Sequence, residues 1–344
     1  MAKFKRPEDI KVGVIGYGPS FGMGPTHLND MKKAKMSPLA VCDSDPARLE
    51  AAQNDFPGIE TYDTVDKMLK ESDVNLITII TPHDSHAPLA LKCLKAGRHV
   101  VCEKPLAITT ADCDKMIAEA EKQDLVLTTY HNRYWDGSIL RALKIIKEGK
   151  IGDVIRIDAH MGHWGNPGDW WRSSKTISGG ILYDWGVHLI EYMLQITGSE
   201  VVEVTGFAKR GFWASKTKWK EDTQEDESFG IMRFENGIWG TLRITQIDSN
   251  PRNSMIEITG TKGTYGWDYD NFFLITPNEH GEKITHTGRH PEVEWWRYYQ
   301  NIADHLTKGT KLVITPQWSR RPIHFIELMC KSAEKGASMK PKYT

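Results

Sequence analysis

Between residues 11 and 130 the hydrophobic positions fall into short β-rich runs: Val12 to Gly16, Leu39 to Cys42, Val74 to Thr81, His99 to Cys102 and Leu125 to Thr129. Continuous apolar runs of this length, without polar alternation, predict strands buried on both faces of a parallel sheet. Between them, Pro46 to Asp55, Thr64 to Glu71, Ala87 to Ala96 and Thr110 to Gln123 carry apolar residues at helical spacing. Asp45, Asp63 and Thr109 or Thr110 supply N-caps, and Gly97 a stop. Strand and helix alternate throughout, which predicts a doubly wound α/β domain over residues 1–130.

The pattern changes after Tyr130. One helical stretch, Ser138 to Glu148, ends at Gly149, and long β-rich segments follow at Val154 to His163, Val201 to Phe212, Ser228 to Phe234, Trp239 to Ile247 and Ser254 to Thr259. Turns at Asn236-Gly237 and Thr261-Lys262-Gly263 separate the later ones and predict a mainly antiparallel sheet. Helical spacing returns at Trp295 to Thr307 and Ile323 to Lys335, so residues 131–344 read as a second, α+β domain. The charged stretch Lys216 to Glu227 reads as a solvated loop, a candidate lid.

A length of 344 residues exceeds the usual size of one core and agrees with two domains. The 44 basic and 45 acidic residues nearly cancel, which argues against nucleic acid or an anionic membrane as partner and leaves small-molecule chemistry. Five cysteines, an odd number, read as reduced thiols. The N-terminus has no apolar signal-like region and no run is long enough to span a bilayer, so the expectation is a soluble, cytoplasmic protein.

Candidate chemistry sharpens this picture in three places. The turn Gly16-Tyr17-Gly18-Pro19-Ser20-Phe21-Gly22-Met23-Gly24 follows the first strand and leads into a helix around His27 to Met31. Glycines there let the backbone approach a pyrophosphate, and the helix start offers amide donors. The usual third glycine is replaced by Phe21, so Gly22 and Gly24 imply a lengthened turn. An ordinary tight turn would look similar; its place after strand one favours a dinucleotide. Asp43 ends the second strand, where a carboxylate accepts ribose hydroxyls and repels a 2′-phosphate, so NAD is favoured. Arg48 leaves NADP open.

The second place is Glu103-Lys104-Pro105, at the end of a predicted strand, where ligands of doubly wound sheets gather. A lysine there stabilises a developing alkoxide, although a surface ion pair is the commoner fate of lysine. The third is Gly179-Gly180 followed by Asp184 and His188, four apart and so on one helix face. An imidazole with an ordinary pKa near ~6.5 accepts a hydroxyl proton at neutral pH, and a nearby carboxylate orients it. Taken alone, His188 would read as a core histidine. Trp164, Trp170, Trp171, Tyr183 and Trp185 crowd the same stretch with His163 and Arg172, which suits the apolar faces and polar edges of a sugar ring or equally a packed core. His160 and His163 lack the companions of a metal site, and no metal is expected.

These residues together resemble the glucose-fructose oxidoreductase/inositol dehydrogenase/rhizopine catabolism (Gfo/Idh/MocA) oxidoreductases over essentially the whole chain. The match takes in Gly16-x-Gly18, Asp43, Thr81-Pro82 with His86, Ala96 to Pro105, Asn132-Arg133-Tyr134, Trp171-Arg172, Gly179-Gly180 with Asp184 and His188, and the turn Ile258 to Gly263. The resemblance implies a Rossmann domain followed by a domain with an open antiparallel sheet through which homo-oligomers form. It implies Lys104, Asp184 and His188 as catalytic residues. Cofactor contacts would come from Gly16, Gly18, Gly22, Asp43, Thr81, Pro82, His86, Glu103, Lys104, Asn132 and Arg172. Substrate contacts would come from His163, Trp164, Trp171 and Arg172 with the catalytic trio. The expected activity is NAD(P)-dependent oxidation of a secondary hydroxyl on a sugar, glycoside or inositol. A glycosidase using transient oxidation and elimination, and a non-catalytic nucleotide-binding sensor, are the alternatives.

Overall fold

The computed structural model describes residues 2–344. The chain divides into two compact units, Met1–Asn132 with Trp296–Arg320, and Arg133–Trp295 with Arg321–Thr344.

The first unit alternates β1 (Lys11–Ile15), α1 (Met23–Lys33), β2 (Ser37–Cys42), α2 (Pro46–Asp55), β3 (Glu60–Tyr62), α3 (Val65–Glu71), β4 (Leu76–Ile79), α4 (His86–Lys95), β5 (His99–Cys102), α5 (Thr110–Lys122) and β6 (Leu127–Thr129). Its six strands are parallel in the order β3-β2-β1-β4-β5-β6. The order reverses between β1 and β4, the switch point beside which doubly wound folds bind dinucleotides. Strands β4, β5 and β6 are buried at every residue, which is why they read as unbroken apolar runs. Asp45 and Thr109 cap their helices as expected, each accepting a first-turn amide, whereas α3 is capped by Thr64, which accepts the Lys67 amide, rather than by Asp63. Strand β3 lay outside the expected set, because three half-buried residues at a sheet edge carry no periodic signal.

The second unit contains α6 (Gly137–Lys147), β7 (Val154–Gly162), α7 (Lys175–Ser178), α8 (Leu182–Thr197), β8 (Val201–Lys209), β9 (Glu227–Phe234), β10 (Trp239–Thr245), β11 (Ile256–Gly260), β12 (Gly263–Trp267), β13 (Asn271–Pro277) and β14 (Lys283–Arg289). Its eight-stranded sheet runs β14-β13-β12-β11-β7-β10-β9-β8. All pairs are antiparallel except β7 with β10. Helix α8 packs on β10 and β7, with most of its residues buried. The edge at β8 is covered by the chain's end, where Val204 and Met339 exchange backbone hydrogen bonds of 2.9 and 2.8 Å.

Helix α9 (Trp296–Lys308) and helix α10 (Pro316–Lys335) complete the chain. Helix α9 packs on α1 in the first unit, so the expected division at 130/131 had put it in the wrong place: an amphipathic stripe says that a helix is buried, not against what. Helix α10 continues through Pro322, whereas the sequence reading started it at Ile323. The stretch Lys216 to Glu227 also departs from expectation. Thr217, Thr223, Gln224, Glu225 and Asp226 are buried, and Asp226 accepts the amides of Phe212 and Trp213, so the segment is an anchored part of the unit rather than a solvated loop.

All five cysteines are free. Among the described residues, no helix is long and apolar enough to cross a membrane.

Candidate active site

Gly16 leaves β1 with φ of 97°, and a Cβ there would lie 2.5 Å from the Ile80 carbonyl, so both conformation and space demand glycine. A Cβ on Gly18, by contrast, would meet nothing within 4 Å, which leaves open room beside the turn. The lengthening anticipated from Phe21 is a short 3₁₀ turn, Ser20–Gly22, with Phe21 itself at φ 63° and exposed. Gly22 then starts α1 in the left-handed region with no side-chain cap, so the amide donors of its first turn, Pro25 aside, have no capping side chain. Asp43 accepts the Tyr17 amide at 2.7 Å through Oδ2 and the Asp45 amide at 3.0 Å through Oδ1. It therefore braces the glycine turn, and each oxygen keeps a lone pair for a ribose hydroxyl. Open space at Gly18, an uncapped helix start and a carboxylate at the end of β2 fit a dinucleotide.

Ladder register sets the remaining groups of this unit. Ile15 pairs with Ile79 and Ile79 with Cys102, and the amides of Gly16, Ile80 and Glu103 donate to Cys42, Ile15 and Ile79. Gly16, Ile80 and Glu103 therefore leave the sheet at one level, with Thr81 and Lys104 next. Thr81 Oγ1 accepts from Ser85, and Pro82 begins the same turn through its carbonyl. Asn132 follows β6 at the same edge. The Lys104–Pro105 peptide is cis.

Two of the expected cofactor contacts act as braces within the unit. His86 has no exposed surface; its ring nitrogens sit 2.7 Å from the Pro105 carbonyl and 2.9 Å from that of Thr81, and burial holds its pKa below the usual value. Glu103 uses one oxygen for His27 Nε2 at 3.0 Å and the other for the Lys104 amide at 3.0 Å. Burial opposes its ionisation, but the His27 hydrogen bond and the Lys104 charge and amide outweigh that and hold the carboxyl below its usual range.

In the second unit Asp184 and His188 lie on α8, one turn apart, with His188 only 3% exposed. Asp184 pairs with Arg172 at 3.5 Å, and the Arg172 guanidinium lies over Trp170 and Trp171 at 5.0 and 4.8 Å. Trp185 meets the His188 ring edge-on at 5.8 Å and carries Arg133 over its own ring at 4.5 Å. Arg133 in turn pairs at 3.1 Å with Asp136, a buried carboxylate that also accepts from Tyr192 at 2.5 Å and from Trp295 Nε1. Trp171 and Arg172 are thus drawn to Asp184. Trp164, 54% exposed, packs with Phe212 and Trp213, and His163 precedes it at the exposed end of β7.

The start of α8 is held by a residue the sequence reading missed. Glu225, 4% exposed, accepts the Ile181 amide at 3.1 Å and pairs with Lys175. Its Oε2 would lie 2.5 Å from a Cβ on Gly180, whose φ is 123°, which explains the second of the paired glycines, while Gly179 ends α7 in the left-handed region at φ 89°. His27 and Glu225, and Asp136 as the acceptor of Tyr192 and Trp295, were hidden because those partners are distant in sequence. The available signal for His27 was a histidine on the otherwise apolar stripe Gly24, Leu28 and Met31 of α1.

Comparison with known proteins agrees with this fold. Residues 10–131 match the model of the oxidoreductase family with an NAD-binding Rossmann fold, and residues 139–266 match the Gfo/Idh/MocA C-terminal domain. The scyllo-inositol 2-dehydrogenase (NADP(+)) of Bacillus subtilis is 29% identical over 96% of this chain and 96% of its own length. The myo-inositol 2-dehydrogenase of Thermotoga maritima is 29% identical over 74% of each chain. A levoglucosan dehydrogenase solved with NADH and levoglucosan superposes with a TM-score of 0.83 at 20% identity, covering 97% of this chain and 99% of its own, and so shares the fold.

Proposed function

The chain belongs to the Gfo/Idh/MocA family of oxidoreductases and carries its NAD-binding Rossmann domain, and from that premise we propose that it oxidises a secondary hydroxyl of a sugar, glycoside or inositol. The observation that carries the reading is the shared level at which Gly16, Ile80 and Glu103 leave the parallel sheet, with Thr81 and Lys104 the next residues, which supports a lysine beside the nicotinamide end of a dinucleotide seated on the glycine turn. When bound, NAD supplies the hydride acceptor.

The chain's own residues supply the rest. The Gly16–Gly18 turn and the first amides of α1 hold the pyrophosphate, with Asp43 on the ribose and Thr81, Pro82 and Asn132 beside the cofactor. Lys104 donates a hydrogen bond to the substrate oxygen and stabilises its developing charge. His188 takes the hydroxyl proton, and Asp184, tied to Arg172, orients the polar groups around it. Trp171 and Arg172 offer an aromatic face and donors for a polyol ring, and His163 and Trp164 extend that surface. The inositol and levoglucosan dehydrogenases among the relatives act on cyclic polyols and support the substrate class. One relative is named for NADP(+), but Asp43 with Asp45 at the end of β2 opposes a 2′-phosphate, and NAD is the proposed cofactor. Phe207 and Trp239, exposed on the sheet face opposite α8, support association of copies through that sheet.

The decisive experiment screens purified protein against sugars, glycosides and inositols with NAD and NADP, following nicotinamide absorbance and, in parallel, glycoside release. Net NADH formation is expected on at least one cyclic polyol. On that substrate His188→Ala should lower kcat by about 10²–10⁴-fold while NADH affinity, read by fluorescence titration, stays within about threefold. Undiminished turnover in this variant rules out His188 as the base. Product release without net NADH would replace dehydrogenation with the transient-redox glycosidase.

A further inference from the structure

Within the first unit a buried polar chain connects the phosphate-binding helix to the strand end that bears Lys104. His27 has no exposed surface. Its Nδ1 lies 2.6 Å from the Tyr299 hydroxyl and its Nε2 3.0 Å from Glu103 Oε1. Tyr299, on α9 and fully buried, also approaches Thr78 Oγ1 at 3.4 Å. Glu103 Oε2 accepts the Lys104 amide at 3.0 Å. One neutral tautomer satisfies every link: the tyrosine hydroxyl donates to Nδ1, Nε2–H donates to Glu103, and the second carboxylate oxygen takes the Lys104 N–H. The ring is also wedged by Tyr130 at 4.2 Å and Tyr299 at 5.9 Å between centroids, so it has little freedom to leave. In so dry a place an unmade hydrogen bond is costly, and the chain acts as a unit.

A side chain that accepts the amide of the next residue restrains that residue's backbone from one side, and Pro105 restrains it from the other. We propose that His27 and Glu103 are positioning residues that fix the backbone from which Lys104 reaches the substrate, so that α1 serves both the cofactor phosphates and the lysine. This rests on the reading of Lys104 as a group that touches substrate. His27 lies one turn into α1, beyond the amides available to phosphate, so its loss leaves those donors in place.

The test compares full-length wild type, His27→Ala, Glu103→Ala, the double variant, the conservative His27→Gln and Glu103→Gln, and Lys104→Met. Amide hydrogen exchange reads the geometry without substrate, with the Val101 amide in β5 as the internal reference for global stability. The Lys104 amide should exchange at least about tenfold faster, relative to Val101, in both alanine variants, and His27→Gln, which still offers an N–H to Glu103, should restore most of the protection. On the best polyol of the screen each alanine variant should lower kcat about tenfold with NADH affinity within about threefold, and the double variant should be no worse than the poorer single, because the two act in series. Wild-type exchange at Lys104 in both alanine variants overturns the proposal, as does wild-type kcat in both while Lys104→Met is inactive. If Lys104→Met keeps full turnover, the catalytic reading of Lys104 falls first and takes this proposal with it. Should the alanine variants fail to fold, the glutamine variants decide by the same exchange ratio: Glu103→Gln removes the charge but can still accept the Lys104 amide, so protection should persist there and be lost if charge alone holds the turn.

Discussion

A carboxylate near the start of a helix meets that helix's positive end, and Glu225 occupies this position at α8 from a stretch of chain 44 residues away. Replacing it with alanine leaves the Ile181 amide and the Lys175 ammonium without their buried partner. Because the Lys175 side chain is 29% exposed and regains some hydration, the cost should be about 2 kcal/mol rather than the full penalty of a broken buried pair. Calorimetry of Glu225→Ala should show a Tm lowered by roughly 5 °C, and Gly180→Ala should move in the same direction, since its new methyl group would meet Glu225. An unchanged Tm in both would mean that α8 starts independently of this anchor. The places of Lys104 after a strand end and of Asp184 and His188 one turn apart on a helix were legible in the sequence because each sits in a local pattern whose spacing states its geometry. Glu225 with Ile181, Glu103 with His27 and Asp136 with Tyr192 were not, because those partners are 44, 76 and 56 residues apart and no periodicity links them.

At the scale of elements, burial decided what could be read. Strands β4, β5 and β6 are covered on both faces and announced themselves as apolar runs. Strands β12, β13 and β14 did not, and the outermost, Lys-Ile-Thr-His-Thr-Gly-Arg, is almost wholly exposed, so no face of it needed an apolar period. Such a polar, lysine-bearing edge also discourages further strands from adding. The opposite edge uses a different device: Met339 in the C-terminal tail pairs with Val204 of β8, and Ser338 meets Thr205 at 2.8 Å. A chain ending at Lys335 would uncover that edge. It should keep its helical and strand content by circular dichroism yet scatter light increasingly at high concentration, and a truncated protein as monodisperse as the full chain would show that β8 needs no cover.

For the whole molecule, resistance to acid follows from which imidazoles are buried. His99 is held in the first unit with Nδ1 accepting the Val126 amide at 2.9 Å, and burial, reinforced by Lys3, pushes its pKa down to about 4. The unfolded chain would bind this proton near ~6.5, so between those values the unfolded state takes up the proton first. Stability is therefore fully present above the unfolded value and is lost as pH falls toward 4, by about 3 kcal/mol for this residue. Denaturant titrations from pH 7 to 4 should show that decline, and His99→Asn, which keeps an acceptor for Val126, should flatten it; an equal slope in the variant would assign the decline to other groups. The two-domain plan was legible from the change in grammar near residue 130, but the return of Trp296–Arg320 to the first unit was not. That return has a consequence for biosynthesis. The parallel sheet leaves the ribosome early, while Tyr299, the hydroxyl on which His27 rests, emerges only after the entire second sheet has been made. A nascent chain thus completes its nucleotide-binding strands before it can close the His27–Tyr299 hydrogen bond behind them, and that bond forms only once the second sheet has been synthesised.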